Sequence, residues 1–138
     1  MTLALNLDAT RAPRIEGERI YLRRLHVGDV SHDYLGWMQS EQINRYLESR
    51  FQEHSRASLE EFVEAMAGDP LNLLAGIFLK DGDRHIGNIK LGPINAHHGH
   101  ADIGLLIGDP SCWGKGYATE AIRVLTDFAF EEIGLHRV

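Results

Sequence analysis

Two glycines flank a lysine at Gly114-Lys115-Gly116, directly ahead of Tyr117 to Ile122, a run that reads as the start of a helix. At a helix start the first N–H groups lack intrahelical acceptors, and the aligned peptide dipoles put partial positive charge there. Glycines let the backbone approach a ligand closely, and Lys115 adds a mobile cation, so the turn is suited to a phosphate or pyrophosphate. Two phosphate patterns can be tested by counting. The nucleotide P-loop needs a glycine where Asp109 stands and a Ser or Thr where Gly116 stands, so it fails twice. The dinucleotide pattern needs a third glycine where Thr119 stands and an acidic residue ending a strand about twenty residues on; only the helical Glu131 and Glu132 are present.

Two other reactive groups carry less. Cys112, the one cysteine, has no His or Asp locally arranged to activate it and reads as a packed or idle thiol. The run His97-His98-Gly99-His100 could suggest a metal, but without cysteine or a partnering helix it reads as a solvated turn; no metal is expected.

The turn must be positioned by flanking elements. Upstream, Ala101, Ile103, Leu105 and Ile107 alternate with Asp102, Gly104 and Leu106, the pattern of a strand. Downstream, Ala121, Ile122, Leu125, Phe128, Ala129 and Ile133 recur at helical spacing until Gly134. Residues 71–80 and 84–94 are apolar runs of strand length joined by Asp81-Gly82, a hairpin signal, which gives three consecutive antiparallel strands. Earlier, residues 18–25 alternate Ile20 and Leu22 against Tyr21 and Arg23, as a first strand does. Val30, Tyr34, Trp37, Met38, Ile43, Tyr46 and Leu47 predict two short helices in succession. Ser58 with Glu61 three residues later, and Gly68 at the end, predict a third. The closing Leu135-His136-Arg137-Val138 reads as the first residues of another strand.

The length of 138 residues and 43% hydrophobic content suit one domain with a real core. Residues 1–17, with Pro13 and Gly17, read as a tail, and 18–138 as an α/β (α+β) domain. A net charge of −6 argues against nucleic-acid backbone or anionic lipid as a partner. With no membrane-length apolar run and no signal-peptide pattern, the expectation is a cytoplasmic protein.

Residues 102–122, DIGLLIGDPSCWGKGYATEAI, closely resemble the acetyl-CoA-binding core of the GCN5-related N-acetyltransferases. The resemblance is strongest to the branch with ribosomal-protein N-terminal and amino-sugar acetyltransferases, and extends over about residues 18 to 138. It implies a mixed, mostly antiparallel sheet flanked by helices. The family's turn, Gln or Arg, two variable residues, Gly, one variable residue, then Gly or Ala, falls on Trp113, Gly114, Lys115, Gly116, Tyr117 and Ala118. Trp113 departs from it and removes one polar side chain beside the pyrophosphate. The resemblance implies acetyl-CoA as co-substrate, its pyrophosphate held by Trp113 to Thr119, and its pantetheine arm met by backbone groups of Leu105, Leu106 and Ile107.

The activity so implied is direct acetyl transfer to a primary amine, with one strand N–H polarising the thioester. An amine of pKa ~10 is mostly charged at neutral pH, so a base is needed. Asp102, where relatives often carry Glu, is the candidate, and His100, two residues earlier on the same face, is the alternative. Tyr34, Trp37 and Tyr46 fall where the family builds its acceptor pocket, but at helical spacing they read first as core; Arg45, Glu48 and Arg50 read as surface rather than acceptor contacts. The acceptor stays open among a protein N-terminus, an amino sugar and a small amine. Relatives continue beyond the point where this sequence stops, through a fifth strand and a Tyr or Ser that protonates the thiolate. The reading is therefore a fold cut at the start of its fifth strand, completed by further chain or by another chain, as in a homodimer. The alternatives are a non-catalytic acyl-CoA-binding module and an unrelated nucleotide binder.

Overall fold

The computed structural model describes residues 14–40 and 55–138. The second of the two helices expected after Val30, with Ile43, Arg45, Tyr46, Leu47, Glu48 and Arg50, lies outside the described residues, as do residues 1–13.

Among the described residues, five strands form one antiparallel sheet in sequential order: β1 (Ile15–Glu16), β2 (Ile20–Arg24), β3 (Leu73–Leu79), β4 (His85–Leu91) and β5 (Ile103–Ile107). Three described helices flank it: α1 (His32–Gln39), α2 (Arg56–Ala67) and α3 (Tyr117–Phe128). β1 is an addition to the expected plan: Ile15 and Glu16, counted with the tail in the sequence, pair with Leu22 and Tyr21. The β3–β4 hairpin turns at the expected Asp81-Gly82, with Gly82 and Asp83 both at positive φ. Ser55, rather than Ser58, caps α2. The two serines bond each other's backbone N–H reciprocally, so the helix starts three residues before the Ser58/Glu61 signal.

Alternation along the strands feeds two cores. Ile20, Leu22, Ala75, Ile77, Ile89 and Leu91 face α3, whose Ala121 and Leu125 are fully buried against them, as is Ala129 just beyond its end. Tyr21, Leu74 and Phe78 face the other way, onto Tyr34 and Trp37 of α1 and Leu59 and Val63 of α2. A buried leucine such as Leu125 contributes about 1.5–3 kcal/mol, so the α3 stripe alone orients that helix. Ile122, read as part of the stripe, points outward and is 39% exposed.

After α3 the chain widens into a π turn (Ala129–Ile133), where the Gly134 N–H donates to the Ala129 carbonyl, and Gly134 stops it at φ 91°. The closing residues then run parallel to the lead-in of β5: Arg137 bridges His100, the His136 N–H donates to the Gly99 carbonyl, and the Ala101 N–H to that of Arg137. From Ile103 to Ile107 the outer edge of β5 has no strand beside it among the described residues.

Candidate active site

The region between β5 and α3 begins at Gly108, where the Trp37 indole of α1 lies so close that a Cβ would fall 2.0 Å from its ring. Asp109 then caps a short 3-10 turn (Pro110–Cys112): its carboxylate accepts from the Ser111 N–H at 2.9 Å and the Ser111 hydroxyl at 2.7 Å, and pairs with Arg84. Hydrogen bonds from Ser111, backed by the Arg84 cation, hold the Asp109 carboxyl below its ordinary value despite some burial. Cys112 is buried in the core, as a packed thiol should be.

Trp113, the departure from the family's turn, is 41% exposed and donates its indole N–H to the Ile107 carbonyl at 2.7 Å. It ties the turn back to the end of β5. Gly114 and Gly116 both take the left-handed conformation, at φ 73° and 82°, which accounts for glycine at each. Among the described residues no atom lies within 4 Å of where a Cβ on Gly114 would stand, so that side of the turn is open. Gly116 is the N-cap of α3 and offers no side-chain acceptor to the first N–H groups of Tyr117, Ala118 and Thr119. Lys115 and Thr119 are exposed, and no acidic partner is found for Lys115 among the described residues. The turn thus combines open space at Gly114, uncapped N–H groups, a helix dipole and an exposed ammonium, which fits a pyrophosphate.

β5 divides the three residues expected to meet a pantetheine arm. The Gly92 N–H donates to the Asp102 carbonyl and the Gly108 N–H to the Ile86 carbonyl, which fixes the phase of the ladder. Backbone groups of Gly104 and Leu106 therefore point at β4, and those of Leu105 and Ile107 at the outer edge. Leu106 is turned away from that edge, and the Ile107 carbonyl is taken by Trp113. The N–H groups of Leu105 and Ile107 and the Leu105 carbonyl are left.

Asp102 stands exposed just before β5, on the side-chain face shared with Gly104 and Leu106. Among the described residues nothing approaches within 4 Å of a Cβ position on Gly104, so they leave the surface between Asp102 and Leu106 open. His100 stacks on His98 at 6.1 Å, near His136 and Arg137. Among the described residues no group of three His, Cys, Asp or Glu is arranged to hold a metal ion, and no helix is long and apolar enough to cross a membrane.

Three groups escaped the sequence reading. His85 sits with Asp33, Trp37, Arg84 and Asp109 along a cleft of ≈ 260 Å³. Its ring stacks on Phe78, meets Trp37 and Tyr34 edge-on, and Nε2 lies 2.7 Å from Asn88 Oδ1. Burial lowers its pKa against the pull of Asn88, which favours the neutral imidazole. Alternation with Ile89 and Leu91 would put His85 on the α3 side; the register shift between Ile77 and Phe78 turns it to the α1 side, which no sequence pattern announced. Glu120, buried in the first turn of α3, accepts from the N–H groups of Arg19 (2.9 Å) and Ile20 (3.3 Å) and from Arg19 Nε (2.8 Å). Its sign was a carboxylate beside Ala121 in an otherwise apolar stripe; Arg19 left none. Burial alone would raise the Glu120 pKa, but these donors outweigh it and hold it below the ordinary value.

Residues 19–138 match the family model described as "Acetyltransferase (GNAT) domain". "Probable N-acetyltransferase YjcK" of Bacillus subtilis (strain 168) is 35% identical over 135 residues, covering 90% of this chain and 71% of its own. "Uncharacterized N-acetyltransferase p20" of Bacillus licheniformis is 28% identical over 123 residues, covering 88% of this chain and 68% of its own. Among solved structures, the spermidine N-acetyltransferase from Vibrio cholerae in complex with CoA and spermine superposes with a TM-score of 0.74. It is 26% identical and covers 86% of this chain and 68% of that one. A GNAT-family acetyltransferase from Bacillus anthracis shares the fold at a TM-score of 0.73 and 22% identity, over 89% of this chain and 69% of that one.

Proposed function

The chain belongs to the GNAT family of acetyltransferases, and on that premise we propose that it moves an acetyl group from acetyl-CoA directly to a primary amine. The turn from Trp113 to Thr119 holds the donor's pyrophosphate, the outer edge of β5 holds its pantetheine arm, and Asp102 serves as the base. The observation that carries this is the uncapped start of α3 behind the open, left-handed Gly114, at the end of a strand whose outer edge has no strand beside it among the described residues.

Acetyl-CoA supplies a thioester carbonyl carbon that an amine can attack with loss of the thiol. The Leu105 N–H, facing the outer edge, is the donor available to a carbonyl oxygen there, and such a donor typically lowers the barrier by about 3–4 kcal/mol. The Asp102 carboxylate takes the proton that the amine loses, directly or through one water. Strand rise places Asp102 about 17 Å from Ile107, so donor cradle and base lie at opposite ends of one strand. A long pantetheine arm suits that span.

The acceptor is a small amine, a polyamine among them, an amino sugar or a protein N-terminus; the neighbour bound to CoA and spermine supports including spermine. Calorimetry with CoA, followed by an acceptor screen with acetyl-CoA, tests the reading. Micromolar to millimolar binding and turnover on at least one amine are expected. Absence of heat at millimolar CoA would sink it.

A further inference from the structure

The N-terminal hairpin is stapled to the cofactor turn through the Glu120 carboxylate. The bend between β1 and β2 wraps it: the Arg19 and Ile20 N–H groups donate to Oε2, and a Cβ on Gly17 would come within 2.6 Å of the same oxygen. Arg19 Nε bonds the other oxygen, Oε1, at 2.8 Å. With its Nε so fixed, the guanidinium reaches over the turn. Nη1 donates to the Lys115 carbonyl at 2.7 Å, and the group sits 4.6 Å from the centre of the Tyr117 ring.

The Lys115 carbonyl and the Gly116 N–H belong to one trans peptide plane, so they point in opposite directions. Drawing the carbonyl toward Arg19 sends the N–H to the other side of the turn. A side chain at position 116 would also crowd this arrangement, since its Cβ would stand 3.3 Å from Arg19 Nη2. We propose that Arg19, locked by Glu120, is a positioning residue for the donor: its grip on the Lys115 carbonyl aims the Gly116 N–H at the pyrophosphate. This rests on the reading of the turn as the pyrophosphate site. It makes the first hairpin, far from the turn in sequence, part of the donor site. Arg19 is nearly half exposed and Glu120 buried, so the carboxylate is the fixed member and the arginine the reaching one.

Two probes separate positioning from general support. CoA carries the pyrophosphate and pantetheine lacks it. Calorimetry measures CoA affinity, and a titration at millimolar pantetheine, followed through the β5 amide signals, measures the arm. In Arg19→Met, CoA should bind at least tenfold more weakly while pantetheine changes less than twofold. Arg19→Lys keeps the charge but cannot hold Glu120 and Lys115 together, and should fall in the same direction; it serves where Arg19→Met does not fold. Unchanged CoA affinity in the variant, or equal loss of both probes, overturns the inference. Wild-type protein that binds CoA no better than pantetheine would overturn the pyrophosphate reading itself, and the inference with it.

Discussion

At its C-terminal end β5 runs into a turn held from three directions: Trp113 returns to the Ile107 carbonyl, Arg84 pairs with Asp109, and Arg19 with Glu120 reaches across from the first hairpin. At its N-terminal end Asp102 stands exposed near Gly104, where the described residues leave open space in place of a side chain. The difference follows from what each end is proposed to meet. A phosphate-binding turn must present N–H groups in fixed directions, and preorganised dipoles act only if they do not have to be reoriented on binding. An acceptor face must admit a substrate and release it, so room matters more there than bracing.

The largest effect should come from the open end. In Asp102→Asn the amide cannot take the amine's proton, and kcat should fall by about 10²–10⁴. CoA affinity should stay within twofold, because the substitution leaves the braced turn untouched. Steady-state kinetics beside CoA calorimetry would check the split; a loss of CoA affinity would mean that the two ends are not separable.

At the braced end, Glu120→Gln keeps the shape and removes the charge that Arg19 and two backbone N–H groups are arranged around. Hydrogen bonds to a charged group are worth roughly 1.5–3 kcal/mol, so a loss of about 2 kcal/mol in urea unfolding at neutral pH is expected. The Glu120 pKa is lowered in the folded protein, so its contribution is complete above the unfolded-state value and is lost as pH falls through the folded one. The gap between wild type and variant should therefore close on acidification. A gap that persists at low pH would assign the loss to packing rather than charge.

Much of the braced end could be read before folding because its signals are local. The spacing of Gly114 and Gly116, the β5 alternation and the Gly134 stop lie within one stretch of sequence, and each reports a backbone requirement. The bracing itself was not legible: Arg19 and Glu120 are 101 residues apart, and neither has a local pattern that names the other. Ser58 shows how a local signal can mislead. It matches a capping box with Glu61, but its hydroxyl serves Ser55, three residues earlier. Leu106 shows the same for strands. Family resemblance marks a stretch, whereas ladder phase, set by the Gly92–Asp102 and Ile86–Gly108 bonds, decides which residues in it face outward.

A smaller effect should follow from Trp113→Phe. It removes the indole N–H from the Ile107 carbonyl and leaves that oxygen where water can reach it, so the cost is about 1 kcal/mol or less. If this link matters to the donor site, CoA affinity should fall by up to about fivefold, measured by calorimetry. An unchanged value would show that Arg19 and Arg84 suffice to hold the turn.

Gly104→Ala offers the smallest change and the sharpest contrast between the two ends. Glycine inside a strand costs roughly 0.5–1 kcal/mol relative to alanine, and Gly104 has no positive φ and, among the described residues, no neighbour that a methyl group would strike. The substitution should therefore stabilise the fold by about 0.5 kcal/mol in urea unfolding. The methyl would project onto the face between Asp102 and Leu106, where the acceptor is proposed to sit. KM for the amine should rise several-fold while CoA affinity holds. A variant that is more stable with no change in acceptor KM would move the acceptor off this face, toward the cleft beside Trp37 and His85.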